Sequence, residues 1–177
     1  MLHPKLLVTT GKGKENQAIV EILDILFEYD QEAYGVKTSF DGVVLIYTKL
    51  DPFKALSIIR RNPTSVVFKV VPLERCVKTS LDNIVNTGLE LAKKRIKKNS
   101  TFIVDCIRRG RYVESSVIVE RTLGARIIKE LGAKVSFKNP EYIVRVEVIG
   151  EIACISVVKR EDVVRRKGRG SGSYNIL

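Results

Sequence analysis

Along the first 75 residues the apolar positions switch between the two-residue period of a strand and the longer period of a helix. Leu6-Leu7-Val8 reads as a strand, broken by Gly11-Lys12-Gly13. Ala18, Ile19, Ile22, Leu23 and Leu26 then recur at the spacing of one helical face. Residues 33–39 and 43–48 read as two strands turned at Asp41-Gly42, a pair that tolerates the positive φ of a tight hairpin. Asp51-Pro52 opens a short helix, because Asp caps free N–H groups and Pro at the first helical position gives up a donor that has no partner there. That helix stops before Pro63, and residues 66–71 close the unit as a strand. The order strand, helix, strand, strand, helix, strand predicts a ferredoxin-like unit over residues 1–75. Such a fold carries no chemistry by itself.

Beyond it, Thr79-Ser80 caps a longer helix whose inward stripe is Leu81, Ile84, Val85, Gly88, Leu91, Ala92 and Ile96. Residues 102–107 predict a strand, and Arg108-Arg109-Gly110-Arg111 a loop. Ser115 or Ser116 then starts a helix that Gly132 stops, and Gly124 inside it is expected to allow close packing on a sheet. Lys134 to Phe137, the turn Lys138-Asn139-Pro140, and strands over 142–149 and 152–158 complete an α/β unit expected over 76–162. In the first of these strands Arg145 and Glu147 alternate with Val144, Val146 and Val148, which predicts one apolar face and one that meets water. The fold class is therefore α+β in two units. Residues 163–177, charged and then rich in Gly and Ser, read as a flexible basic tail.

The formal net charge of +11 changes this picture, because it is unevenly placed. Residues 1–75 carry a net +1 and residues 76–177 a net +10. A polyanion is the expected partner of the second part. No apolar run is long enough to span a membrane, and the first residues do not lead into a secretory segment, so no membrane partner and a cytoplasmic location are expected. Cys76, Cys106 and Cys154 each sit in or beside an apolar run and are expected as buried, reduced thiols. With one histidine, His3, and no paired cysteines, neither a metal nor another cofactor is expected.

The most informative local group is a strand, then Arg108, Arg109 and Arg111, then Ser115 and Ser116 at a helix start. Guanidinium forks and free helix-start amides both favour phosphate. Lys134, Lys138 and Asn139 form a second candidate; Asn139 serves either a ligand or its own turn. Lys94, Lys97 and Lys98 form a third, at a helix end whose dipole also attracts cations. Gly11-Lys12-Gly13-Lys14 lacks the spacing of a nucleotide-binding loop. No nucleophile motif or acid pair is set out for catalysis, so a binding protein is expected rather than an enzyme. Two alternatives stay open: a small metal-dependent RNA-processing enzyme, for which Asp105 and Glu114 are the acids near the basic loop, and a ribosome-associated RNA-binding protein.

Thr101-Phe102-Ile103-Val104, Arg108-Arg109-Gly110, Ser115-Ser116, Leu123-Gly124, Lys134-Val135, Asn139-Pro140-Glu141 and the strands at 144–148 and 152–156 together resemble the THUMP domain. The family is named for thiouridine synthases, RNA methylases and pseudouridine synthases, and residues 1–75 resemble the ferredoxin-like domain that accompanies it. The resemblance implies binding of a tRNA acceptor end. It is nearest to stand-alone, archaeal-type members, which resemble the adaptor of the RNA cytidine acetyltransferase that forms N4-acetylcytidine in tRNA. Carried to this chain, it implies RNA contacts from Arg108, Arg109, Arg111, Ser115 and Ser116, and from Lys134, Lys138 and Asn139.

Overall fold

The structure, a computed structural model, describes residues 2–166. The described chain divides into two compact units: residues 2–72 together with 163–166, and Leu73–Asp162. The division therefore falls after Pro72 rather than at the expected 75/76.

The first unit runs β1 (Leu6–Thr10), α1 (Glu15–Leu26), β2 (Tyr34–Lys37), β3 (Val43–Tyr47), α2 (Pro52–Arg60) and β4 (Val67–Pro72). These strands pair antiparallel in the order β4-β1-β3-β2, the ferredoxin-like arrangement. Leu6, Val8, Ile22, Leu26, Ile46 and Ile59 fill its core. The Asp51 carboxylate accepts from Phe53 N and Lys54 N at 2.9 and 3.2 Å, so the helix start read from Asp51-Pro52 is a true cap. Gly42 has φ 71°, and a Cβ there would stand 2.3 Å from the Thr10 carbonyl oxygen, so the hairpin next to β1 requires glycine.

Asp30 is buried after α1 and accepts from Thr48 Oγ1 at 2.6 Å, Lys49 N at 2.9 Å and Glu32 N at 3.1 Å. The Thr48 hydroxyl, with those amides and Lys49, holds its carboxyl below the usual carboxylate range against the opposing effect of burial. A carboxyl depressed on folding contributes stability that is complete above its unfolded pKa and is lost as pH falls through the folded one. Asp30→Asn should therefore destabilise the protein at neutral pH and flatten the acid limb of its stability curve. Denaturant midpoints measured across the acid range check this, and parallel limbs in wild type and variant would refute it.

A fifth strand joins this sheet from the far end of the chain. β10 (Val164–Arg165) pairs antiparallel with β4, setting Val164 opposite Val70 and Arg165 opposite Lys69. Val164 is buried in the core, and the Arg166 guanidinium donates to the Ile59 carbonyl at 2.6 Å and to Thr64 Oγ1 at 2.5 Å. The expectation of a flexible tail from residue 163 is thus corrected for Val163 to Arg166: a short apolar-basic segment gains a ladder and a buried valine that its composition did not announce. The rest of that expected tail, residues 167–177, lies outside the described residues.

The second unit runs β5 (Arg75–Lys78), α3 (Leu81–Arg95), β6 (Thr101–Arg109), α4 (Ser116–Leu131), β7 (Lys134–Val135), β8 (Tyr142–Ile149) and β9 (Ile152–Val158). Its sheet order is β5-β9-β8-β6-β7, with β6 parallel to both β8 and β7 and the other pairs antiparallel. Both helices contribute to one core, with Ile84, Ala92, Leu123 and Ile127 meeting Phe102, Val104, Val144 and Val146. Ser80 and Ser115 cap α3 and α4 by accepting from Asn83 N and Ile118 N, each at 3.1 Å. Gly132 ends α4 in the left-handed region at φ 67°. A Cβ on Gly88 would lie 2.6 Å from Leu123 Cδ2, so α3 and α4 approach closely there.

Two sequence expectations are overturned in this unit. Cys76 and Cys154 stand directly opposite each other on β5 and β9 and form a disulfide; Cys106 remains the buried free thiol. Their 78-residue separation conceals the register that brings them together. The polar face of β8 is also not wet: Arg145 and Glu147 are 5% and 0% exposed. Pairing across the sheet makes this tolerable. Glu147 accepts from Arg109 at 2.6 Å and from Arg145 Nε at 2.8 Å, while Arg145 also pairs with Asp105, its register neighbour on β6.

Candidate nucleic-acid interface

The predicted contact residues separate into two groups at opposite ends of the second unit. β6 runs from Thr101 to Arg109, about 26 Å at the usual rise per residue. Arg108, Arg109, Arg111, Ser115 and Ser116 cluster where it ends and α4 begins. Lys94, Lys97, Lys98, Lys134, Lys138 and Asn139 cluster where α3 and α4 end and β6 and β7 begin.

At the first end the structure occupies much of the predicted machinery. The Arg108 guanidinium donates to the carbonyls of Val113 and Glu114 at 3.0 and 2.9 Å and thereby folds the loop back on itself. Arg109 turns inward to Glu147, and its side chain is 15% exposed. The Ser115 hydroxyl is engaged as the cap of α4. Arg111 is exposed and stands in no ion pair among the described residues. Around it lie the acids Glu114 and Glu151, the latter accepting from the Tyr112 hydroxyl at 3.3 Å. Two helix starts offer positive potential here, yet the side-chain charge is mixed.

The second end is more uniformly cationic. Ile96 ends α3, so Lys97 and Lys98 follow the helix rather than belonging to it. Asn99, in the left-handed region at φ 67°, donates its N–H to the Gly132 carbonyl at 2.9 Å, and Lys134 N donates to the Ser100 carbonyl at 2.9 Å. These two bonds bring the turn after α3 against the turn after α4. The Lys98 stem lies over Gly132, 3.2 Å from where a Cβ would stand. Lys94, Lys97, Lys98, Lys134 and Lys138 are exposed, and none joins an ion pair among the described residues. Lys93 is paired with Glu130 at 3.2 Å, and Arg95 with Glu74 at 2.6 Å. Exposed Lys129, in the last turn of α4, adds a further cation at this end that sequence reading did not single out; its signal was its place one turn before Gly132. Five unpaired lysines exceed what two helix ends need to offset their dipoles, and they suit phosphate as point charges.

Residues 78–158, nearly all of the second unit, match the THUMP domain, and the chain therefore carries one behind a ferredoxin-like unit. Among known proteins it is 30% identical over 118 residues to the tRNA sulfurtransferase of Vibrio cholerae, covering 66% of this chain and 23% of that protein. It is 27% identical over 136 residues to human THUMP domain-containing protein 1, covering 71% of this chain and 38% of that protein. The fold also matches a 4-thiouridine synthetase solved with RNA and ATP, with a TM-score of 0.63, 18% identity, and coverage of 94% of this chain and 43% of that one. The chain thus spans well under half the length of each. Among the described residues no helix is long and apolar enough to cross a membrane.

Proposed function

We propose that the protein is a non-catalytic adaptor that binds tRNA through its THUMP domain and presents it to a separate modifying enzyme. The observation that carries RNA binding is the cluster Lys94, Lys97, Lys98, Lys134 and Lys138, assembled by two turns from segments distant in sequence and left without acidic partners among the described residues. The Vibrio relative's action on tRNA and the RNA bound in the synthetase structure support tRNA as the polyanion. Cys106, the free thiol among the described residues, is buried, and burial with the neighbouring carboxylates pushes its pKa up to about 12, which argues against its use as a nucleophile. The reaction served is N4-acetylcytidine formation by an RNA cytidine acetyltransferase, a choice that follows from resemblance to the stand-alone members alone.

Replacing the five lysines by alanine should lower tRNA affinity about a hundredfold at moderate salt and reduce the steepness of its salt dependence, because each lost phosphate contact removes about 0.7 to 0.9 from the logarithmic slope. Arg111→Ala should cost less than the five together, and Arg109→Ala should affect stability more than affinity. All five lysines are exposed, so the variant should fold. Fluorescence anisotropy with labelled tRNA at two salt concentrations measures this; unchanged affinity would move the RNA surface elsewhere. Reconstitution with an RNA cytidine acetyltransferase tests the adaptor role. Stimulated acetylation of tRNA is expected, whereas modification or cleavage by the purified protein alone would make it an enzyme.

A further inference from the structure

An apolar groove of about 420 Å³ lies between α4 and the open edge of β6 in the second unit. It exists because β7 is two residues long and pairs only with Thr101 and Phe102, leaving the following stretch of β6 uncovered on that side. Val117, Ile128, Val135 and Phe137 line it and are 47%, 46%, 40% and 81% exposed, an unusual concentration of large apolar side chains in water. Its floor includes Gly124, in the middle of α4, where glycine is unfavourable relative to alanine. Packing does not demand glycine there: a Cβ would meet only Val104 Cγ2, at an ordinary 3.9 Å, in contrast to the tight approach at Gly88. The expectation that Gly124 serves close helix-on-sheet packing is thereby corrected. What the missing side chain provides is depth.

Around the groove the charge is of one kind apart from Glu120. Arg121 lines it, Lys134 and Lys138 flank the two exposed apolar residues Val135 and Phe137 in the chain, and all three cations are exposed without an ion pair among the described residues. Glu120 faces the groove but accepts from Cys106 N at 3.0 Å, which ties its carboxylate to the uncovered edge of β6.

We propose that this groove is a docking site for a partner protein, occupied by a short segment that carries two or three bulky apolar side chains flanked by aspartate or glutamate. Apolar walls reward buried aliphatic and aromatic groups and offer few partners to the polar edges of a nucleobase, while the Glu120 carboxylate repels phosphate. A second copy of the chain is disfavoured, because the same three cations would approach from both sides. The flanking acids meet the cationic rim and set register and encounter rate, and the apolar anchors supply the affinity. The inference deepens the adaptor reading by assigning it a surface for the protein partner, distinct in chemistry from the lysine cluster assigned to tRNA, although Lys134 and Lys138 border both.

The test uses the full chain and a displayed library of random twelve-residue peptides, followed by anisotropy with the selected peptides in synthetic, labelled form. Selected sequences should converge on apolar anchors flanked by acids, and replacing those acids by glutamine should weaken binding severalfold. Gly124→Leu, which fills the groove, and Phe137→Ser, at a site too exposed to unfold the domain, should each weaken peptide binding tenfold or more while tRNA affinity stays within about twofold of wild type. Peptides that do not converge, or that bind both variants normally, would overturn the proposal. A parallel loss of tRNA affinity in both variants would assign the groove to RNA instead, and self-association by sedimentation that both variants abolish would assign it to a second copy. Loss of tRNA binding in the five-lysine variant is measured separately, so failure here leaves the RNA reading standing or falling on its own data.

Discussion

Glu147→Gln should destabilise the protein by about 3 to 5 kcal/mol, the usual cost of removing one partner from a buried ion pair. Glu147 is fully buried and its two carboxylate oxygens each accept from a different arginine, Oε2 from Arg109 and Oε1 from Arg145. Glutamine preserves the shape but withdraws the charge, leaving two guanidinium groups with Asp105 as the remaining carboxylate in contact, and that one is 42% exposed. Desolvated cations without counter-charge are what the interior tolerates least. Arg109→Ala should cost less than Glu147→Gln, since Arg145 would still donate to the glutamate. The two changes should also be strongly non-additive, because both act on one network. Denaturant unfolding of the two single variants and the double variant gives the coupling directly. A Glu147→Gln cost below about 1 kcal/mol would show that the network is solvated in solution.

Cys154→Ser, or reduction of the wild type, should lower stability by about 4.5 kcal/mol on the chain-entropy model, given the sequence separation of 78 between the bridged positions. The bond joins β5, an edge strand of four residues, to β9, so its loss frees the strand that leads into α3. Lys94, Lys97 and Lys98 lie at and beyond the far end of that helix. Thiol titration of the unfolded protein should find one reactive group before reduction and three after it. Three free thiols at the start, or a denaturation midpoint indifferent to reductant, would remove the bridge from the account.

Local signals determined a large part of this protein. Periodicity located β1 and α1, since a strand and a helix must alternate their buried positions differently to shield one face, while turn and cap residues located the hairpin at Asp41-Gly42 and the start of α2 at Asp51-Pro52. Asp51, Ser115 and Gly132 marked helix ends because capping is a short-range hydrogen-bond requirement that the residues beside the helix satisfy. The charge asymmetry set the expectation of a polyanionic partner for the second unit, since net charge needs no coordinates. What only the tertiary structure decided depends on register and on contacts between distant segments. β5 and β10 are four and two residues long, too short to show a period, and each exists through pairing with a strand tens of residues away. The disulfide follows from which residues β5 and β9 set side by side, and the inward turn of Arg109 and the burial of Arg145 and Glu147 from the pairing of β6, β8 and β9. The sequence offered Arg108 to Ser116, Lys134 to Asn139 and Lys94 to Lys98 as three separate candidates, and only the fold shows that the last two share one end of the domain while α4 and β6 carry the first to the other. The groove, likewise, arises where β7 stops early beside a glycine in α4, a coincidence in space that no stretch of sequence contains.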